Sequence, residues 1–356
     1  MTEVTKTRSK KFTYFIGIDV SRNKLDYAVM YGKELVCHQE GQNEPVDILA
    51  FITKLKMYSG FTIGKSVFCM EHTGYYCNHL FSVFRRLKAN VIVEDALQIK
   101  KSLGTIRGKN DKIDAIRIVC YVQKNKDNIK LWKPRRPELL ALANALSVRN
   151  RLLGVSVALS TALKEESGFV SKVVKKNNEK LFDKTISAVK LDLLDAELLV
   201  KKLIDSDERL RRLKELITSV PSVGIITAVR IIVCTNEFRD IKSPQKFACY
   251  AGVVPFKKES GLKVTRAKVS PIANRKMKSL LHLCALCSLR IDAELKAYYE
   301  RKTKIEGKPK LAVVNAIRNK LVLRIFACVN QDRCFIRNYQ PQQTITAGEL
   351  TRSQSL

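Results

Sequence analysis

Apolar and polar positions alternate with a period of two through the first part of the chain. The runs 12–20, 24–30 and 34–40 are separated by the short polar turns Ser21-Arg22-Asn23 and Tyr31-Gly32-Lys33, which predicts three strands in an antiparallel meander. A helical spacing follows near 45–57. Strand and helix then alternate: the strand SVFCME at 66–71, a helix from about Tyr75 to Leu87, the strand NVIVED at 90–95, and helical segments from about Ala96 and from Asp111 to Gln123. Three strands followed by alternating β and α units predict a mixed sheet covered by helices.

The Pro-rich basic joint WKPRRPE at 132–138 marks a boundary. From Leu139 to about Thr218 there is little Gly or Pro. Leu139, Leu142, Ala143, Leu146 and Leu153 recur at helical spacing, predicting long helices in a hairpin or coiled coil. Its role is either a spacer or an arm that dimerises or spans nucleic acid, and periodicity does not choose. In SVPSVGIITAV, Pro221 and Gly224 open an apolar helix, a helix-hairpin-helix-like element whose backbone N–H groups can face a phosphate. Next, Ser260 and Gly261 fall in a short, strongly basic loop. Two helices are expected after it, at roughly 275–303 and 308–329, and the polar tail from Gln340 reads as disordered. The class is therefore α/β plus α: a mixed-sheet domain, a long helical middle and a mostly helical C-terminal domain.

Four carboxylates carry the candidate chemistry. Asp19 lies in FIGIDV, Glu71 closes SVFCME, and Asp111 and Asp114 sit in GKNDKIDAIRI. A single acid at a strand end or helix start is ordinary turn and capping chemistry. Here Asp19 and Glu71 each end an apolar run, where a charge is costly to bury unless it is paired or bound to metal. An i, i+3 pair shares one helix face, so a helix crossing the two strand ends would gather four oxygen donors. Such a set suits Mg²⁺ or Mn²⁺, and acids at strand ends and on a late helix are the layout of a ribonuclease-H-like fold.

Charge narrows the partner class. The 356 residues hold 65 Lys and Arg against 34 Asp and Glu, a formal net charge of +31 at 46% hydrophobic content. This describes a folded protein whose surface attracts a polyanion, with nucleic acid the leading candidate. The excess is uneven: from Lys257 to Arg324 there are 18 basic and 5 acidic residues, a net of +13 over 68 positions. The ten cysteines are scattered through apolar runs and read as reduced core residues. Cys284 and Cys287 have CxxC spacing without a second such pair. Cys69, His72, Cys77 and His79 crowd together without the spacing of a zinc module. The start MTEVTKTRSKK lacks a signal-peptide core and no apolar stretch reaches a membrane span, so a cytoplasmic, nucleoid-associated protein is expected.

FIGIDVSRNKLD, EHTGYY, GKNDKIDAIRI, VPSVGIITA and IKSPQKFACYAGVVPFKKESG resemble the DEDD transposases of bacterial insertion sequences, the insertion sequence 110 family, which includes the Piv-type DNA invertases. The likeness runs from about Tyr14 to Cys328. It implies a basic tail at 1–11, a RuvC-like nuclease domain at 12–131, a helical coiled-coil region at 132–215, a transposase domain at 216–335 and a disordered tail at 336–356. It also implies that Asp19, Glu71, Asp111 and Asp114 hold Mg²⁺ or Mn²⁺, and that Ser260 attacks the scissile phosphate in a composite site and becomes linked to DNA. Family resemblance further implies double-stranded DNA as substrate, an element-encoded guide RNA, and dimers joined into tetramers. Lys109, Lys112, Gly224, Lys257, Lys258, Lys263, Arg266, Lys268, Asn274, Arg275 and Lys276 are the candidate nucleic-acid contacts. Relatives commonly carry Ser-Lys-x-Gly-Asn where this chain has Ser270-Pro271-Ile272-Ala273-Asn274. Two other classes fit the same residues: a metal-dependent junction-resolving endonuclease that uses water, and a basic nucleic-acid-binding protein with an inert carboxylate cluster.

Overall fold

The computed structural model describes residues 12–102, 110–128, 130–166, 168–260, 263–270 and 272–337, with the side chains at 128, 257–260, 263–266 and 268 outside that description. The chain divides into two compact units, Met1–Pro134 and Arg135–Leu356. The basic tail 1–11, Lys109, Gly261, Pro271 and the chain from 338 lie outside the described residues.

In the first unit, β1 (Tyr14–Val20), β2 (Lys24–Tyr31) and β3 (Glu34–Gln42) form the meander. Gly32, at φ +59°, makes the tight turn between β2 and β3, a left-handed conformation a Cβ would penalise. After α1 (Pro45–Leu55) come β4 (Ser66–Glu71), α2 (Asn78–Arg86), β5 (Asn90–Glu94), α3 (Ala96–Ser102) and α4 (Asp111–Lys124). Sheet order is β3-β2-β1-β4-β5, with β1, β4 and β5 parallel. This is the expected ribonuclease-H-like arrangement.

Alternation along β1 builds two cores. Tyr14, Ile16, Ile18 and Val20 pack with Ile48 and Phe51 of α1 and Leu80 and Phe84 of α2. Phe15 faces the other way and packs, with Ala28, Val67, Cys69 and Ile92, on Ala115, Ile118, Val119 and Val122 of α4. Between these layers Gly17 sets the spacing. A Cβ built there would stand 2.4 Å from Ala115 O and 2.4 Å from Val119 N, so the α4 backbone rests directly on β1. Asn110 caps α4 by accepting the Lys112 N–H at 3.0 Å, which places Asp111 and Asp114 in the first turn.

The second unit opens with α5 (Pro137–Glu165) and α6 (Lys172–Asp205), a helical hairpin joined across by Arg149 and Glu197 at 2.7 Å. There follow α7 (Glu208–Thr218), α8 (Ile225–Cys234), α9 (Pro244–Tyr250), the hairpin β6 (Pro255–Ser260) and β7 (Lys263–Val269), then α10 (Arg275–Ile291), α11 (Ala293–Glu300) and α12 (Lys310–Asn330). Its core joins Leu139, Leu142 and Leu146 to Val200, Ile204, Leu210, Phe247, Leu281, Ile317 and Phe326. After α8 the backbone turns through three consecutive left-handed residues, Asn236, Glu237 and Phe238, at φ +51°, +56° and +62°. Such residues cost roughly 1 to 2 kcal/mol each. What holds the turn is the fully buried Glu237 carboxylate, reached by Arg136 and Arg209 at 2.8 Å and Arg239 at 3.3 Å.

Three sequence expectations need correction. Residues 255–260 and 263–269 are paired strands, with Pro255 to Ser260 in antiparallel register with Lys263 to Val269, so Ser260 ends a strand, while Gly261 of the expected loop lies outside the described residues. The helix expected over 275–303 breaks at Asp292 (φ −115°, ψ 102°). There the buried carboxylate accepts the Leu295 N–H at 3.1 Å to start α11 and binds Arg324 at 2.7 Å. A π-helical turn, Arg301–Ile305, then ends α11. Finally, the cysteines are free but not all in the core: Cys69, Cys77, Cys284 and Cys328 are buried, whereas Cys249, Cys287 and Cys334 are exposed.

Gly17→Ala is expected to destabilise the protein by about 2 to 4 kcal/mol, since backbone rather than a flexible side chain meets the new methyl. Chemical denaturation measures it. A change below about 0.5 kcal/mol would show that α4 is free to move off β1.

Candidate functional site

The face of the sheet that packs on α4 carries its acids together. Asp19 shares it with Phe15 and Gly17, and Glu71 shares it with Val67 and Cys69. With β1 and β4 parallel neighbours and α4 crossing above them, Asp111 and Asp114 come within electrostatic reach of Asp19. Burial first, then Asp114, Asp111, Glu71 and Asp26, push the Asp19 carboxyl up to about 6. Glu71 is also raised, by burial, with Lys100 opposing and Asp114 and Asp95 adding to it. Asp114 is steadied by an ion pair with Arg117, one turn along α4.

Two acids on this face escaped the sequence analysis. Asp26 is the register partner of Asp19, and Glu94 is the register partner of Glu71. Asp26 is 2% exposed and held by Lys24 at 3.2 Å and His38 at 3.0 Å. Glu94 accepts the Tyr121 hydroxyl of α4 at 2.8 Å. The alternation of LDYAVM and NVIVE would have put both on the acidic face once strand pairing was known. Sequence alone does not supply that pairing.

Four carboxylates on one face are the donor type that a divalent cation takes. A hard cation takes carboxylate oxygens, and Asp19 is raised first by burial and then by four neighbouring acids. Among the described residues no three of Asp19, Glu71, Asp111 and Asp114 bring oxygens within 4.8 Å of one another. The trio that does is Asp26, His38 and Glu40. There the Lys24 ammonium already bridges Asp26 and Glu40, at 3.2 and 2.9 Å, so that trio is an ion-pair network.

In the second unit Ser260 ends β6 opposite Lys263. Gly224 is the exposed N-cap of α8, and Lys112, Arg275 and Lys276 are exposed in the first turns of α4 and α10. Asn274 differs: its Oδ1 accepts the Met277 N–H at 2.9 Å, and its Nδ2 donates to the Tyr250 hydroxyl at 2.7 Å, so the side chain is committed to capping α10. Burial pushes Tyr250 up to about 12, which keeps it a hydroxyl donor rather than a phenolate nucleophile. No helix among the described residues is long and apolar enough to cross a membrane.

Sheet order, the helix seated on β1 and the acidic face define a ribonuclease-H-like protein with a helical second unit. Residues 16–166 match a family profile described as "Transposase", of the DEDD type from IS110, and residues 214–300 match one described as "Transposase IS116/IS110/IS902 family". The chain is similar to the pilin gene-inverting proteins of Moraxella bovis and Moraxella lacunata, each 24% identical over 330 residues that cover 90% of this chain and 97% of the relative. It is also 26% identical over 129 residues to an insertion element IS110 protein of Streptomyces coelicolor, covering 36% of this chain and 31% of that one. The chain belongs to the IS110 family of transposases, enzymes that recombine DNA.

Asp19 gives a pH test. A carboxyl raised in the fold opposes folding above its folded value and ceases to do so as pH falls through about 6 toward the ordinary value. After solvent screening this is roughly 1 to 2 kcal/mol at neutral pH. Metal-free Asp19→Asn is therefore expected to melt above wild type at pH 7.5, with the gap narrowing below about pH 6 and closing only near pH 4. A variant that melts lower at every pH would refute the repulsion.

Proposed function

We propose that this transposase cuts and rejoins DNA strands to mobilise an insertion sequence, with Asp19, Glu71, Asp111 and Asp114 holding Mg²⁺ or Mn²⁺ and Ser260 as nucleophile. What supports it most is the single acidic face under α4 in a chain of this family. Bound there, the cation would polarise a phosphodiester and stabilise charge on its oxygens. Ser260 Oγ bonds to phosphorus as the bond to one deoxyribose oxygen breaks. The serine proton passes to solvent and the departing oxygen takes one up. The phosphodiester energy is kept in the serine ester until a second strand's hydroxyl displaces it. Lys257, Lys258, Lys263, Arg266 and Lys268, on the same hairpin as Ser260, would offset the negative charge that builds on the phosphate.

The remaining assignments follow. Residues 12–131 serve as the nuclease domain, 132–215 as a helical arm and 216–335 as the domain that carries the serine. Double-stranded DNA is the substrate, and the relatives named for inverting a pilin gene support strand exchange. An element-encoded guide RNA supplies sequence choice, so the protein needs to recognise mainly backbone and shape. A second copy of the chain covers the arm, where Leu181, Leu191, Leu194 and Leu198 of α6 are each more than half exposed. The protein works in the cytoplasm on nucleoid DNA.

Incubation with element-end DNA and Mg²⁺, followed by denaturation, is expected to yield a covalent protein–DNA adduct that Ser260→Ala abolishes. Asp19→Asn is expected to lower its formation at least a hundredfold. Free cut ends without adduct would favour the water-using junction endonuclease. Normal recombination by Ser260→Ala would remove the serine from the chemistry. Binding of any duplex is expected to weaken steeply with salt, about tenfold or more between low and physiological ionic strength.

A further inference from the structure

Two neighbouring arginines of the second unit, Arg135 and Arg230, make no ion pair among the described residues. Arg230 lies on α8, one turn before Cys234, and its Nε is buried without a hydrogen-bond partner. Arg135 precedes Arg136, whose guanidinium is clamped on Asp207 at 2.9 Å and on Glu237 at 2.8 Å. The acids beside this segment are therefore already taken, because Glu237 also binds Arg209 and Arg239. Among the described residues neither Arg135 nor Arg230 makes an ion pair or hydrogen bond.

Arg135 and Arg230 both lie within electrostatic reach of two neutral groups, Cys234 and Tyr250, and each favours their ionised forms. Burial wins and keeps both protonated, so the cluster carries two positive charges and no negative one. Tyr250 Oη accepts the Asn274 Nδ2–H at 2.7 Å and its hydroxyl faces the Cys234 thiol, a weak acceptor that a phosphate oxygen would displace. Structure fixes where this cluster lies. Tyr250 ends α9, and its carbonyl accepts the Asn274 N–H at 2.9 Å where α10 begins. Two residues on, a Cβ at Gly252 would stand 2.5 Å from Ala273 Cβ and 3.6 Å from the Val269 side chain. The cluster therefore adjoins the root of the β6–β7 hairpin and the first turn of α10, where Arg275 and Lys276 are exposed.

We propose that Arg135, Arg230 and the Tyr250 hydroxyl form a subsite for one backbone phosphate of bound nucleic acid, at the root of the hairpin that carries Ser260. A cation is repelled there. A phosphodiester supplies the missing negative charge and oxygen acceptors that match the guanidinium forks. The ligand class rests on the transposase assignment, while the charge imbalance stands without it.

The test is binding of a labelled DNA duplex of arbitrary sequence, titrated at several salt concentrations, by wild type, R135Q/R230Q, R135K/R230K and Tyr250→Phe. The glutamine pair is expected to bind about tenfold more weakly and to lose about 1 from the log–log salt slope, the signature of one phosphate contact. The lysine pair keeps the slope but not the affinity, since it retains charge without the fork. Tyr250→Phe weakens binding with the slope unchanged. Without nucleic acid, R135Q/R230Q is expected to melt no lower than wild type, because repulsion is relieved, and inorganic phosphate is expected to raise the wild-type melting temperature more than the variant's. Equal affinity and slope in wild type and R135Q/R230Q would overturn the subsite, as would a glutamine pair that fails to fold, which would assign the arginines to stapling the unit. Duplex binding needs no strand cleavage. A wild type that binds as expected but never forms the covalent adduct refutes the serine chemistry and leaves the subsite standing.

Discussion

The contact between the α4 backbone and β1 over Gly17 is what the first unit depends on. Helix and strand approach until only a missing side chain separates them, with Ala115 O and Val119 N where a Cβ would be. That approach seals the apolar layer of Phe15, Ala28, Val67 and Val119, and the same rigid placement carries the first turn of α4 over the acidic ends of β1 and β4. Hydrophobic burial on one side of Gly17 thus offsets the repulsion of like charges on the other. The acids cannot relax apart without opening the layer beneath them.

Negative charge concentrated there contrasts with a chain whose formal charge is +31. Polyanion attraction is a property of the whole surface, while the acidic cluster is local to one sheet face. Asp26 and Glu94 mark the limits of that face. Each is tied down, by Lys24 and His38 in one case and by Tyr121 in the other, and Asp26 adds its charge to the potential around Asp19.

The second unit uses buried charge for a different end. Glu237, surrounded by three arginines, holds a left-handed turn that few residues adopt willingly, and so fixes the chain between α8 and α9. Removing that carboxylate would leave Arg136, Arg209 and Arg239 short of a partner as well as releasing the turn. Arg135 and Arg230 stand apart from this network and make no ion pair among the described residues.

Period-two alternation, Gly-containing turns and β–α alternation were enough to place the five strands of the first unit, because those patterns follow from side-chain geometry along one segment. Asp19, Glu71, Asp111 and Asp114 stood out for the same local reason, as charges closing apolar runs or pairing on one helix face. Their local patterns are legible in the sequence. Strand register was not: it put Asp26 beside Asp19 and Glu94 beside Glu71, and it paired the segments on either side of Ser260-Gly261 as two strands. The break at Asp292 was equally hidden, since helical spacing continues through it and only the distant Arg324 makes the buried carboxylate tolerable. Sequence determined the elements and the chemistry available on each. Tertiary structure alone decided which charges meet, because pairing partners and burial depend on residues far apart in the chain.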